Sequence, residues 1–402
     1  MPRVVLQAPL TNTGFGTFGF HLARELVPLI EADGVQAQVI SRWPVTRAVV
    51  AADSPDPKVR AVHAALERQP AGHADIAISM FDATEVHPVP GQVRVAYTMW
   101  EGSQVPPAFA ERLRAFHLVA VPSAWNRDAL DHALAALPPG PRPGTTVWPG
   151  AAPDAALADA PPGRYRTDAF TFCNVGKYER RKGIAPLVAA YAQVAAAHRG
   201  MPMRLLANWV NFFDRHWLAR TGALLAQTGF VREAATTETG LTRFRHQAAR
   251  EAVIELVTRP LPAEADVLEL HRSGDAGIYP YFCEGWGLPL IETLACGVPC
   301  AATDYSAPRA FLAAGAFVPI TDTVERPMAG RFYESGPWGT WREPTPASIV
   351  AAMATLLAMT PAERQAMGQA ARAHLAAHFT WRLAASRVAE DLKRILTALR
   401  AA

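Results

Sequence analysis

Short apolar runs rich in β-branched residues alternate along the chain with stretches whose apolar positions recur every three or four residues. That alternation predicts βαβ units, a parallel sheet covered by helices on both faces. In the first half, residues 4–7, 35–40, 76–80, 93–97 and 118–121 read as buried strands. Residues 20–32 and 124–136 read as helices, the second with Ser123 as its cap. The second half restarts the pattern with strands at 170–175, 204–207, 253–257, 276–279 and 298–301 and helices near 186–197, 288–296 and 347–357. A last helix over 381–399 carries Leu383, Val388, Leu392, Ile395 and Leu399 at helical spacing. Between the halves, residues 138–163 shift to Pro, Gly and Ala, a linker composition that puts the domain boundary there. The predicted class is α/β, with two Rossmann-like domains.

Composition narrows the function classes. With 402 residues, 50% of them hydrophobic and 19% charged, the chain can bury two substantial cores. The formal net charge of +3 is spread without a basic run, which argues against a nucleic-acid binder. Cys173, Cys283, Cys296 and Cys300 form no C-x-x-C pair and read as reduced thiols of a cytoplasmic protein. Residues 349–362 are the best candidate for a membrane span, but they fall short of the roughly 20 residues a span needs and include Pro361. The first ten residues look like a first strand rather than a signal peptide. Only Lys58, Lys177, Lys182 and Lys393 are lysines, against 35 arginines among the 39 basic residues. Two of those four, Lys177 and Lys182, lie five positions apart, a hint that a site there wants ammonium groups.

Gly14-Phe15-Gly16-Thr17-Phe18-Gly19 is a G-x-G-x-x-G between a strand and a helix. A dinucleotide site also needs an acid at the end of the second strand, and that strand ends Val39-Ile40-Ser41-Arg42. Arg42 suits a 2′-phosphate, so an NADP-dependent oxidoreductase stays open, although residues 8–13 separate strand and glycines by more than such a turn allows. The other readings are a ligand-free tight turn and a loop that brings its backbone close to another phosphate or sugar.

The second half carries a cationic and an acidic segment. Asn174-Val175-Gly176-Lys177-Tyr178-Glu179-Arg180-Arg181-Lys182-Gly183 follows an apolar strand and leads into a helix. Beyond the carboxyl end of a parallel strand, its lysines would point into a ligand cleft, where a polyphosphate gains most from them; a solvated charged loop is the alternative. Farther on, Glu284-Gly285-Trp286-Gly287-Leu288-Pro289-Leu290-Ile291-Glu292 opens a helix. Pro289 suits the first turn, the glycines admit close ligand approach, and the free N–H groups form an anion site. Glu284 before the helix and Glu292 about one turn inside it can flank one ligand.

These residues resemble the E-x7-E element of retaining glycosyltransferases with the two-Rossmann GT-B fold, especially family 4 and its mannosyltransferase-like members. Gly176 to Gly183 is similar to that family's G-[RK]-x4-K-G phosphate element, with Lys177 where Arg is common, and Phe379-Thr380-Trp381 resembles the start of its closing helix. The resemblance covers most of residues 90–400 and is specific in the second half. It implies an acceptor-binding domain over 1–155, joined by a closing helix over 380–402 that crosses back onto it. A nucleotide-sugar-binding domain would span 165–379. Lys177 and Lys182 would hold the donor's diphosphate, with Gly176 and the backbone of Gly285, Trp286, Gly287 and Leu288 nearby. Glu292 would take the ribose, Glu284 the hydroxyls of the transferred sugar, and Gly16 would approach the donor from the other side.

The implied donor is a GDP- or UDP-linked hexose, with no further cofactor, and the acceptor a glycan or glycolipid in bacterial polysaccharide or glycoconjugate synthesis. No Asp-x-Asp metal clamp occurs in the sequence, so a metal-independent enzyme is expected. A cytoplasmic location is expected, with peripheral contact of the N-terminal domain at the inner face of the plasma membrane. Many family members carry a histidine after the fourth N-terminal strand. Here the stretch reads Tyr97-Thr98-Met99-Trp100-Glu101-Gly102-Ser103, which makes Glu101 the substitute contact to donor or acceptor. His87, in a nearby loop, is a second candidate. Trp209, Phe212, Phe213, Trp217, Trp338 and Trp341 suit either sugar stacking or core packing. A non-catalytic nucleotide-sugar-binding protein is the remaining alternative.

Overall fold

Strands whose two faces are both covered by helices bury nearly all their side chains, and Arg3–Ala8 and Ala74–Met80 of the first half do so. The computed structural model describes residues 1–11, 13–45, 50–69, 73–82, 84–237, 240–259, 261, 263–328 and 338–401. Its first sheet holds β1 (Arg3–Ala8), β2 (Gln36–Ser41), β3 (Ala74–Met80), β4 (Gly91–Tyr97), β5 (Leu118–Val121) and β6 (Gly144–Val147). They are all parallel, in the order β2-β1-β3-β4-β5-β6. Helices α1 (Gly14–Ala32), α2 (Pro57–Glu67), α3 (Pro107–Leu113) and α4 (Ala124–Ala136) lie between these strands in sequence, and the Thr13 and Ser123 side chains cap α1 and α4. This unit comprises Met1–Pro153, Tyr333–Gly339, of which Trp338 and Gly339 are described, and His378–Ala402.

Two expectations change here. The glycine segment is not a turn: α1 starts at Gly14, six residues earlier than the apolar periodicity indicates, because Thr13 accepts the Gly16 N–H at 3.3 Å. A Cβ on Gly16 would overlap the Thr11 carbonyl oxygen, and one on Gly19 would stand 2.6 Å from that of Pro9. The glycines therefore let α1 lie against the chain that leads into it. Within the linker-like stretch, Gly144–Val147 forms β6, paired with β5 from Leu118↔Gly144 to Val121↔Val147. Its flanking prolines and glycines hid a strand that long-range pairing supplies.

The second unit, Asp154–Phe332 and Thr340–Ala377, repeats the architecture. After α5 (Asp154–Leu157) come β7 (Phe170–Val175), α6 (Ile184–Ala197), β8 (Met203–Asn208), α7 (Trp217–Gln227), β9 (Phe230–Thr236), β10 (Thr242–His246) and β11 (Ala252–Leu256). Then follow α8 (Glu264–Arg272), β12 (Ala276–Tyr279), α9 (Leu288–Ala295), β13 (Cys300–Thr303) and β14 (Val318–Ile320). The strand order is β14-β13-β12-β7-β8-β11-β10-β9, parallel except for the antiparallel β9 and β10 at one edge. β13 begins two residues later than expected, because Pro299 has no N–H to give to a ladder. A hairpin of β15 (Thr323–Pro327) and β16 (Thr340–Pro344) leads to α10 (Pro346–Ala358) and α11 (Pro361–His378). Phe172, Leu187, Leu205, Ile278 and Met353 are fully buried in one core. α10 belongs to that core, and among the described residues no single helix is long and apolar enough to cross a membrane.

The chain then returns to the first unit as α12 (Trp381–Ala401). Trp381 meets Phe18 of α1 edge-on at 4.7 Å and stacks on His21 at 5.4 Å. The buried face is Trp381, Ala384, Ala385, Val388, Leu392 and Leu396, so the expected core position Leu383 lies on the opposite, exposed side.

Candidate active site

In the second sheet the strand order reverses between β7 and β12. From β7 the chain builds outward through β8 and β11, and from β12 through β13 and β14. Ligands of open α/β sheets bind at such a switch point, outside the carboxyl ends of the strands. The residues that follow β7 and β12 are the two segments singled out in the sequence.

After β7, Arg180–Lys182 form one 3-10 turn closed by Gly183 at φ 68°. A Cβ on Gly183 would overlap the carbonyl oxygen of Pro280, the first residue after β12, so glycine lets the two loops touch. Phe282 donates its N–H to the Arg181 carbonyl at 2.7 Å and ties them further. Glu284 then sits between two cations: Arg181 Nη1 donates to one oxygen at 2.9 Å and Lys182 Nζ to the other. Its amide donates to the hydroxyl of Ser306 at 3.0 Å. Arg181 Nε also reaches Glu179 at 3.2 Å, and Lys177 Nζ reaches the other Glu179 oxygen at 2.8 Å. Three cations and two carboxylates thus form one chain with a surplus positive charge.

Burial alone would raise the pKa of both carboxyls, and the cations overcome it. Arg181 and Lys177 hold Glu179 down at about 2. Lys182 and Arg181 hold Glu284 below the ordinary carboxylate range. Lys182 is only 14% exposed and bonded to Glu284, unlike the ammonium of a solvated charged loop. Lys177 is the more accessible of the pair, and its Nζ stands 5.3 Å from the ring centre of Phe213.

Gly287, at φ 96°, precedes α9, whose first N–H groups no side chain caps. Leu288 opens that helix and is partly exposed. Trp286 turns inward against Phe311 at 5.1 Å, so its ring belongs to the core. Gly176 is less constrained than Gly183, since a Cβ there would meet only the Lys182 methylenes at 3.7–4.0 Å. Glu292 faces the buried His271, with Oε2 3.4 Å from Nε2. Of the aromatic candidates, Trp209 and Trp341 are fully buried, whereas Phe212 and Phe213 are 63% and 54% exposed.

The first unit holds Gly16 and Glu101. Glu101 follows Trp100, whose ring stacks on Trp338 at 4.9 Å and whose N–H donates to Asn126 at 3.1 Å. Arg42 donates to the Glu85 carbonyl at 2.6 Å and pairs with its carboxylate at 3.6 Å. The group on which the NADP reading rests is therefore engaged. His87 is exposed in its loop.

Solved structures similar over nearly the whole chain include a glycosyltransferase, a sucrose-phosphate synthase and a protein solved with UDP and glucose. A sucrose-phosphate synthase from Thermosynechococcus elongatus has 14% identity and a TM-score of 0.62, covering 99% of this chain and 100% of that one. A glycosyltransferase from Rickettsia africae has 12% identity and a TM-score of 0.64, covering 98% of each. HepE of Anabaena, solved in complex with UDP and glucose, has 12% identity and a TM-score of 0.58, covering 98% and 99%. The chain has the GT-B fold. No family model matches it, and no curated protein matches it in sequence.

On this GT-B scaffold, Gly176, Lys177, Lys182, Glu284 and the start of α9 come together within the second unit, and Glu101 and Gly16 lie on the first. Sequence reasoning missed Arg181, Glu179, Ser306 and His271 as partners of these residues. Arg181 stands beside two other cations in the sequence, which gives no sign of which one turns inward. His271 carries no motif at all. Its role depends on α8 lying beside α9, a relation that spacing along the chain does not encode.

Proposed function

We propose that this protein is a retaining glycosyltransferase that moves a hexose, mannose or a similar sugar, from a nucleoside-diphosphate donor to a hydroxyl of a glycan or glycolipid. The observation that carries the reading is the grip of Arg181 and Lys182 on Glu284 at the β7/β12 switch point. A carboxylate bonded by two cations stays ionised through the neutral range. It accepts hydrogen bonds from sugar hydroxyls and is a poor nucleophile and no proton donor. Lys177, Lys182 and the N-terminus of α9 supply the positive field for the donor's diphosphate. Gly176, Gly285 and Gly287 keep backbone accessible there, Glu292 takes the ribose, and Gly16 and Glu101 serve the reaction from the first unit.

In this reading the bond from the anomeric carbon to the diphosphate oxygen breaks with its electron pair, and the leaving phosphate gains charge that the cations stabilise. The acceptor hydroxyl attacks the same face and passes its proton to the departing phosphate oxygen, so the configuration is kept. Nothing in these steps calls on a metal ion. UDP-hexoses are the first donors to try, since HepE of Anabaena was also solved with UDP-glucose, with GDP-mannose beside them. Bacterial polysaccharide or glycoconjugate synthesis, at the inner face of the membrane, is the setting that fits such an acceptor. The test is NMR of the first-formed product from each nucleotide hexose in the presence of EDTA. Retention in chelator is expected; an inverted product, or turnover that returns only with Mn²⁺ or Mg²⁺, contradicts the mechanism.

A further inference from the structure

The first sheet has its own reversal of strand order, between β1 and β3. From β1 the chain goes outward to β2, and from β3 it runs the other way through β4, β5 and β6. Beyond the carboxyl ends of these strands stands a ladder of three aromatic rings. Phe15, on the first turn of α1, stacks on Phe81, the first residue after β3, at 5.9 Å and 28°. Trp43, just beyond the end of β2, stacks on the same ring at 6.1 Å and 18°. The Arg42 guanidinium lies over Phe81 at 4.9 Å. Among the described residues, Trp43 is the one large aromatic side chain of the first unit that is exposed, at 47%. The Ser41 hydroxyl donates to the Trp43 carbonyl at 2.7 Å and fixes the backbone beneath the indole.

The charges beside the ladder decide what it can take. Arg42 Nη1 donates to the Glu85 carbonyl at 2.6 Å, and its Nη2 stands 3.6 Å from the Glu85 carboxylate. A phosphate brought to Arg42 would meet that carboxylate. An acyl chain laid on the rings would strip water from the ion pair. A neutral pyranose suits both features: its C–H face covers the indole, while its hydroxyls accept from the guanidinium and donate to the carboxylate. Stacking already holds Trp43 in one orientation, so little side-chain freedom is lost when a sugar ring lands on it.

We infer that Trp43, Phe81 and Phe15, with the Arg42–Glu85 pair at their edge, form a subsite for a neutral hexopyranose ring of the acceptor. This rests on the glycosyltransferase reading and narrows it: the group held here is the carbohydrate of the acceptor, neither its lipid nor a sugar phosphate. Phe15 adjoins Gly16, the first-unit residue that the same reading brings to the donor. Arg42 then serves as the polar border of a sugar site and not as a 2′-phosphate clamp.

Mannotriose and maltotriose are the neutral probes, mannose 6-phosphate and 2′-AMP the anionic ones. Each is titrated by saturation-transfer NMR into the wild type, Trp43→Ala, Trp43→Phe and Arg42→Met. UDP and GDP are titrated calorimetrically into the same proteins, with melting curves alongside. The wild type should bind at least one trisaccharide, with transfer strongest to its ring C–H protons. Trp43→Ala should weaken that trisaccharide about five- to ten-fold and Trp43→Phe about threefold or less, as loss or reduction of one stacking face does. Nucleotide affinity should be the same in all four proteins, since the residues proposed for the donor's phosphates and ribose lie on the second unit. A wild type that takes a nucleotide but neither trisaccharide, undiminished trisaccharide affinity in Trp43→Ala, or tighter binding of an anionic probe that Arg42→Met abolishes overturns the inference. Trisaccharide binding that falls in Trp43→Ala, in a protein that takes neither nucleotide, is a different result: the ring subsite stands and the glycosyltransferase reading falls.

Discussion

The amide of Glu284 donates to the hydroxyl of Ser306 across 3.0 Å, and Ser306 holds that place at φ 61°, ψ −155°. It is the one non-glycine residue with positive φ among those described, in a region that is nearly glycine-only and costs about 1–3 kcal/mol. The strain persists because it aims a hydroxyl at the backbone that carries Glu284. Ser306→Ala removes the hydroxyl and keeps the strain, and Ser306→Gly removes both. The glycine variant should therefore melt higher than the alanine variant, by about 1–3 kcal/mol in unfolding free energy, while both lose turnover alike. Thermal melts beside a turnover assay check this, and glycine activity equal to wild type would reduce Ser306 to a packing residue.

Gly183 and Gly176 bracket the same loop with opposite tolerances. Gly183→Ala meets a left-handed φ of 68° and the Pro280 carbonyl, so the two loops must part and the protein should lose at least about 1–2 kcal/mol. Gly176→Ala adds only ordinary contact with the Lys182 methylenes and should change the melting midpoint little. Equal melting of the two variants would contradict the close approach of β7 and β12 loops.

Acid should weaken the protein through Glu179. Its carboxyl ordinarily titrates at 4.5 and is held at about 2 in the fold, so its contribution to stability is complete above 4.5 and is lost as the pH falls toward 2. Glu284, also held low, adds in the same direction. Glu179→Gln should be less stable than wild type at neutral pH, and the gap should close on acidification. Melting midpoints from about pH 6 down to about pH 2 test it; a constant gap would mean that Glu179 is not paired as described.

The strands and most of the helices were legible because burial on both faces writes itself as unbroken apolar runs, as in Ile76, Ala77 and Ile78. β6 was not, since its prolines and glycines disguise a strand that exists by pairing with β5. The start of α1 was missed because its glycines read as a turn, whereas their lack of Cβ serves close packing on Thr11 and Pro9. At the site, the lysines, Glu284 and Glu292 stood out by spacing. The partners that tune them did not: Arg181, Ser306 and His271 reach them from a turn, from the loop after β13 and from α8, and only the folded sheet sets these side by side.

Lys182 bears the central claim most directly. It is bonded to Glu284, and in the proposed reaction it stabilises the leaving diphosphate. The measurement is release of nucleoside diphosphate from the nucleotide hexose that the wild type accepts, for Lys182→Ala and Lys182→Arg, with melting curves alongside. Lys182→Ala should lower turnover roughly 10²–10³-fold, the scale for losing one group that stabilises a developing charge. Its midpoint should fall, because the buried Glu284 loses one of its two cations, but Arg181 still bonds that carboxylate and turnover is read well below the midpoint. Lys182→Arg should not restore activity, because a forked guanidinium does not replace a point charge beside Arg181. Turnover of Lys182→Ala within about threefold of wild type would contradict the account, since no transition-state charge would then rest on this residue.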